Sequence, residues 1–308
     1  MAVGLVGFSL VLTACTGPRS SADSTKSVAI AGGSPSAGCG HGRSSGALAP
    51  GATGTRTLAS RATTGSYQLT VPRNYRPGHP SPLILLFYGF GSDPSQFSAL
   101  TRLPARGSTD GYLVVVPHAQ STEWQFSEHG TDAAFVNALV RDLKDTYCVN
   151  QRRVFASGFS AGAAFTIVYG CSHQGQIAAI ATVAVDFQLG CHRPIPIMAF
   201  HGTKDPLVPY QNGAIGLSLP GIKVRGTELN LADWARLDHC RSAPSTRRIG
   251  SEVNLQRWSG CTHGTSVELY TIIGGGHSWP GADPSRAIGL TTQQVSATKE
   301  ILLFFNRF

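Results

Sequence analysis

Charge is scarce in this chain. Only 14% of its 308 residues are Asp, Glu, Lys or Arg. Lys and Arg outnumber Asp and Glu by 25 to 17, for a formal charge of +8, yet they stand singly or in pairs. No basic block and no strip of interleaved basic and aromatic residues occurs, so the surplus reads as a solvated cationic surface and not as a nucleic-acid track. No apolar run reaches the roughly 20 residues needed to span a bilayer. Seven cysteines are present without one C-x-x-C pair, which argues against a thiolate metal site. His41, His79, His118, His129, His173, His192, His239 and His263 occur singly, without ligand spacing, so no metal is assigned. What remains is a hydrophobic content of 42% at a mean hydropathy near zero, which suits one large domain with a sizeable core plus appendages.

Residues 2–12 form a short apolar run, placed and sized like the h-region of a signal peptide. It ends in Leu12-Thr13-Ala14-Cys15, which resembles a bacterial lipobox. That resemblance implies a signal peptide over 1–14 and a Cys15 whose sulfur carries a diacylglycerol, with the membrane as partner through the lipid. No Lys or Arg precedes the apolar run, which departs from the usual positive n-region, and a plain secretory signal with an incidental cysteine is the alternative. Residues 15–64 are rich in Ser, Thr, Gly, Ala and Pro without apolar periodicity and are expected to be a flexible tether. The remaining domain is expected over 65–308. With Cys15 set aside, six cysteines remain, an even number that suits three disulfides in an exported chain.

Beyond the tether, strand-like and helix-like runs alternate. Residues 67–71 read as an edge strand, and 83–88 and 112–116 as continuous apolar runs of strands buried on both faces. Residues 95–106 read as helix. So do 132–147, where Phe135, Leu139 and Leu143 recur at helical spacing behind an N-cap at Thr131 or Asp132. Further strands are expected over 154–157, 178–185, 195–200 and 267–273, and further helices from after Gly162 through Tyr169 and over 228–237 and 293–305. Strands separated by helices imply parallel βαβ units, hence an α/β fold with one doubly wound, mostly parallel sheet.

Chemistry concentrates at three strand ends, where sites gather in open α/β sheets. Gly158-Phe159-Ser160-Ala161-Gly162 lies between a short buried strand and an apolar helix, the context of a G-x-S-x-G nucleophile elbow. In a chain with 36 glycines the pentapeptide alone says little; the strand–turn–helix context carries it. Asp205 follows a second strand within His201-Gly202-Thr203-Lys204-Asp205, and His277 follows the last within Gly274-Gly275-Gly276-His277. The chain order Ser, Asp, His is that of the α/β-hydrolases, with Ser160 as nucleophile, Asp205 as acid and His277 as base. Asp186, also near a strand end, is the rival acid, but it is flanked by the core-like Val185 and Phe187. Backbone N–H groups of Phe90 and Ala161 are the expected oxyanion donors.

Gly-Phe-Ser-Ala-Gly, His-Gly-Thr-Lys-Asp-Pro-Leu-Val-Pro and above all Gly276-His277-Ser278-Trp279-Pro280-Gly281 resemble the secreted esterase family that groups feruloyl esterases with polyhydroxybutyrate depolymerase-like proteins. The likeness runs from about residue 66 to the C-terminus. It implies the same three catalytic residues and no cofactor. Two positions depart from that family's pattern: Tyr88 stands where it usually has histidine, and Ala163 where it often has a second glycine. Tyr88, Trp124 and Trp279 are candidate substrate-binding residues, with loop packing as the alternative for Trp124. The resemblance implies a secreted serine carboxylesterase of the feruloyl type, acting on ester-decorated polysaccharide such as xylan. The alternatives are a polyhydroxyalkanoate depolymerase, an acyltransferase to a sugar, and a non-catalytic surface lipoprotein. Cys240 and Cys261 bracket a polar segment of about twenty residues and are the expected bridge, an assignment the resemblance also favours. Cys171–Cys191 with Cys39–Cys148 is one arrangement of the other four, whose pairing stays open.

Overall fold

The computed structural model describes residues 33–40, 46–59, 63–188, 190–215, 223–241 and 243–308. The expected signal peptide, Cys15 and much of the expected tether lie outside the described residues. In chain order the strands are β1 (Thr53–Ala59), β2 (Thr64–Thr70), β3 (Ser81–Phe87), β4 (Leu113–Pro117), β5 (Val149–Phe159), β6 (Ala179–Val183), β7 (Ile197–Gly202), β8 (Gly213–Ala214), β9 (Lys223–Val224), β10 (Ser245–Ile249), β11 (Val253–Trp258) and β12 (Val267–Ile272). The helices are α1 (Pro94–Thr101), α2 (Leu103–Thr109), α3 (Thr131–Thr146), α4 (Ala161–Ser172), α5 (Thr227–Leu237) and α6 (Ala297–Phe305).

Ten strands make one sheet in the order β1-β2-β4-β3-β5-β6-β7-β12-β11-β10, and β8 and β9 pair separately. The six central strands, β4 to β12, run parallel. An antiparallel pair flanks them on each side, β2 with β1 and β11 with β10. Burial explains the centre. Residues 83–87 of β3, all of β4 and all of β6 are buried, as strands covered on both faces must be. Helix α4 is buried along most of its length, and α3 turns Phe135, Leu139 and Leu143 into the core. From β3 the chain moves to β4 on one side and later to β5 on the other. That reversal of strand order opens a crevice at the carboxyl ends of β3 and β5.

Several local expectations are corrected. The tether does not extend to residue 64 as unstructured chain. β1 pairs with β2 in full register, so β1 and not β2 is the edge strand. Earlier still, Cys39 is bonded to Cys148, and Ser36 Oγ donates to the Tyr147 carbonyl. The folded part therefore begins ahead of residue 65. The helix expected over 95–106 is two helices, broken at Arg102, whose φ of 54° is left-handed. The polar segment after Cys240 carries two strands not expected from the sequence, since β10 and β11 form a hairpin that extends the sheet. Neither Thr131 nor Asp132 caps α3; Gly130 takes that place. The buried Asp132 carboxylate instead accepts the Gln120 and Gln125 N–H groups, both at 2.7 Å, which pins the loop ahead of the helix. Cys171–Cys191 and Cys240–Cys261 are also bonded.

Candidate active site

Strand β5 ends at Phe159, and Ser160 turns the chain into α4 with φ 54° and ψ −122°. A non-glycine residue at positive φ is strained and persists only where its surroundings hold it. The two glycines of the motif are what permit this turn. A Cβ on Gly158 would strike the Gly162 carbonyl and come within 2.5 Å of Thr166 Oγ1. One on Gly162 would strike the carbonyls of Phe87 and Tyr88, so α4 could no longer lie against the end of β3. The Ser160 N–H donates to the Val183 carbonyl at 2.9 Å, which ties the elbow to β6.

Asp205 and His277 come from the loops after β7 and β12, which are neighbours in the sheet. Those loops are joined by main-chain bonds: Thr203 N–H to the Ile272 carbonyl and Lys204 N–H to the Gly275 carbonyl, both 2.9 Å. The Gly274 N–H also donates to Thr203 Oγ1. Gly202 lies so close to Gly275 and Gly276 that a side chain there would separate the loops. The result is a buried contact, His277 Nδ1 to Asp205 Oδ2 at 2.8 Å. Asp205 Oδ1 accepts the Leu207 and Val208 N–H groups, both at 2.9 Å. Burial pushes this carboxyl up, but the bond from His277 and that residue's charge, with the Val208 amide and His201, outweigh burial and hold it below its ordinary range. An acceptor-only carboxylate at Nδ1 fixes the proton there and leaves Nε2 of His277 as the basic nitrogen. His277 is further held by its N–H bond to the Ile288 carbonyl and by the Phe159 ring, 4.8 Å away between centroids.

Ser160 and His277 line one cavity of about 880 Å³, together with Phe126, Phe159, Trp279 and Ile288. No Ser160–His277 hydrogen bond forms. Such contacts are often long or misaligned without substrate. The expected oxyanion donors stand at the same mouth. The Ala161 N–H opens α4 and has no acceptor within its helix. Phe90 follows Gly89, which packs on Ser160 so closely that a Cβ there would be 3.3 Å from the serine's own.

The three aromatic candidates part company. Trp279 lines the cavity, braced by an Nε1–H bond to Thr298 Oγ1. Trp124 does not. It is buried, stacked on Phe165 at 4.8 Å, and donates Nε1–H to the Tyr88 carbonyl, so loop packing is its role. Tyr88 is not a lining residue either, since its hydroxyl points away to accept the Ala119 N–H.

Asp186, the rival acid, has a histidine of its own. Its Oδ2 lies 2.6 Å from Nδ1 of His201, and its Oδ1 accepts from Asn230 Nδ2 at 2.8 Å. In the sequence His201 stands only as part of the loop motif that carries Asp205. The signal was there in the adjacency of two strand ends, but nothing along the chain declares that β6 and β7 are sheet neighbours. Among the described residues, no cluster of three His, Cys, Asp or Glu side chains could hold a metal.

No family model matches the chain. It is 27% identical over 294 residues to feruloyl esterase D of Neurospora crassa, covering 91% of this chain and 93% of that protein. It is 28% identical over 226 residues to feruloyl esterase B of Piromyces equi, covering 67% of this chain but only 41% of that protein. Among solved structures, acetyl xylan esterase from Aspergillus awamori superposes with a TM-score of 0.58 at 12% identity, covering 82% of this chain and 99% of the other. At that identity the likeness speaks for the fold, which is the α/β-hydrolase fold.

Proposed function

We propose that this α/β-hydrolase is an exported serine esterase of the feruloyl or acetyl xylan type, acting on acyl groups carried by plant cell-wall polysaccharide. The observation that carries the reading is the buried His277–Asp205 pair beside the Ser160 elbow, at the mouth of one largely apolar cavity. The long match to a feruloyl esterase supports the substrate class. Three disulfides suit an oxidising compartment, and Cys15 as a lipid anchor belongs to the same proposal.

In this mechanism Ser160 Oγ attacks the ester carbonyl while His277 Nε2 takes its proton. Asp205 keeps the imidazole in the Nδ1–H tautomer and stabilises it once charged. The Phe90 and Ala161 N–H groups receive the oxyanion, aided by the positive end of α4. His277 then protonates the leaving alcohol, and water releases the acyl group from Ser160 by the same steps in reverse. A cavity of about 880 Å³ walled by Phe126, Phe159, Trp279 and Ile288 has room for an aromatic acyl group.

Methyl ferulate, acetylated xylan, a hydroxybutyrate oligomer and p-nitrophenyl acetate, each assayed with wild type and Ser160→Ala, make the test. The reading expects turnover of the first two, and a loss of about 10⁴-fold or more in kcat in the variant. Exclusive turnover of the hydroxybutyrate oligomer would overturn the substrate class. Undiminished activity in Ser160→Ala would overturn the mechanism.

A further inference from the structure

The ring of His201 is buried with two acceptors facing its two nitrogens. Nδ1 lies 2.6 Å from Asp186 Oδ2, and Nε2 lies 2.9 Å from the Val208 carbonyl oxygen. A carbonyl can only accept. Asp186 Oδ1 is held as an acceptor by Asn230 Nδ2, which sits between it at 2.8 Å and the Arg225 carbonyl at 3.1 Å and donates to both. Nε2 of His201 therefore carries a proton, and the 2.6 Å contact holds a second one between Nδ1 and Asp186 Oδ2, where the further carboxylate of Asp205 favours its placement on the ring. The same Nε2 lies 3.6 Å from Asp205 Oδ2, the oxygen that holds His277. Four groups thus follow one another through the interior: Asp186, His201, Asp205, His277.

We propose that His201 is a permanently charged imidazolium, clamped by Asp186, that acts as a positioning residue by setting how strongly Asp205 attracts the proton on His277. The inference rests on the reading of Ser160, Asp205 and His277 as the reacting set. Two carboxylates so near each other and out of water would repel, and one would be driven to take up a proton. A cation between them offsets that repulsion, so Asp205 remains an acceptor for Nδ1–H. The charges then balance at the moment that matters. Once His277 takes the serine proton, two negative and two positive groups stand in a row. The cation has the further effect of weakening the hold of Asp205 on a proton at His277. The direction of the His201 shift agrees with this arrangement. Burial opposes its charge, yet the charge and bond of Asp186, helped by the Val208 carbonyl and Asp205, raise its pKa above the ordinary value.

The other neighbours do not supply a competing charge. Thr227 Oγ1, at the start of α5, lies 2.9 Å from Nδ1. The Tyr210 ring stands edge-on at 5.7 Å, a phenol that burial pushes above its ordinary pKa, so it stays neutral. Its hydroxyl donates to Glu228 Oε1 at 3.1 Å, which places that carboxylate one residue further out. Asp186 and Asp205 are the carboxylates in contact.

The first test needs no activity. In ¹⁵N-histidine-labelled wild type at pH 8, one imidazole should have both nitrogens protonated, and it should vanish in His201→Gln. A wild-type spectrum with every imidazole singly protonated at pH 8 overturns the proposal, whether or not the variants fold. The second test is the pH profile of kcat/KM for p-nitrophenyl acetate, with Ser160→Ala as the control for the reacting serine. In His201→Gln, removal of the cation should move the acid limb upward by about one pH unit, so that roughly tenfold is lost below the limb and less above it. A uniform loss at every pH would mean that His201 only supports the structure. If wild type and Ser160→Ala show equal activity, the assignment of the reacting set fails, while the doubly protonated imidazole still reports on His201.

Discussion

Two buried histidine–aspartate pairs lie side by side at the carboxyl ends of the central strands, and they differ in what faces the second nitrogen of the ring. His277 gives Nδ1 to Asp205 and lines the cavity beside Ser160. His201 gives Nδ1 to Asp186, and its Nε2 is closed off by the Val208 carbonyl. In the roles proposed for them, the same two residue types thus serve as a base in one place and a fixed charge in the other. A histidine becomes useful as a base only where one nitrogen is left without a committed partner. The loops make that difference. Val208 belongs to the turn that carries Asp205, so the segment that presents the acid also occupies His201. A third buried carboxylate completes the contrast. Asp238 has no histidine; Oδ1 accepts the Ile195 N–H, and burial pushes its pKa up to about 6.

The largest expected difference is between the two acids. Asp205→Asn turns an acceptor into a donor at Nδ1, forces the wrong tautomer on His277, and should lower kcat by about 10⁴-fold. Asp186→Asn leaves that tautomer intact and should cost no more than roughly 10-fold to 100-fold, most of it at acid pH. Equal losses would dissolve the distinction between the pairs, and the two kcat values measured at pH 8 decide it.

Asp238 should affect stability and not rate. Its folded pKa, about 6, lies above the ordinary carboxyl value of 3.8, so the folded state holds the proton longer than the unfolded chain does. The contribution of Asp238 to stability should therefore be greatest below about pH 4, fall as pH rises to about 6, and level off beyond, a change of up to about 3 kcal/mol. Asp238→Asn should remove that slope while leaving kcat near wild type. Urea unfolding at pH 4, 5, 6 and 7 would measure it. A slope that survives in the variant would assign it to another group.

The parts of this architecture that could be read in the sequence are those where burial leaves an unbroken pattern. Strands β3 and β4 are covered on both faces, so Leu83 to Phe87 and Leu113 to Val116 are continuous apolar runs. The elbow was legible for a steric reason, since glycine at 158 and 162 is what the close approach of β5, α4 and β3 demands. The sheet edges were not. β1 is a Thr- and Gly-rich strand within a Thr- and Gly-rich stretch, and β10 is exposed along nearly its whole length. Neither carries an apolar alternation, and each is defined by its pairing with the neighbouring strand. Trp124 and Tyr88 misled for a related reason: an aromatic residue near a strand end serves equally well as a cavity wall or as the packing behind it, and only the fold separates the two. His201 stood within the motif that named Asp205, but its partner Asp186 is 15 residues earlier, on the far side of a strand pairing that the sequence does not state.

The central claim is that the pair with the open nitrogen activates Ser160. It is tested most directly by reacting the protein with a fluorophosphonate probe and locating the adduct by peptide mass spectrometry. One adduct per chain is expected, on Ser160, formed rapidly in wild type and in Asp186→Asn but at least about 100-fold more slowly in His277→Ala. An adduct on another residue, or labelling of Ser160 at an unchanged rate without His277, would contradict the account.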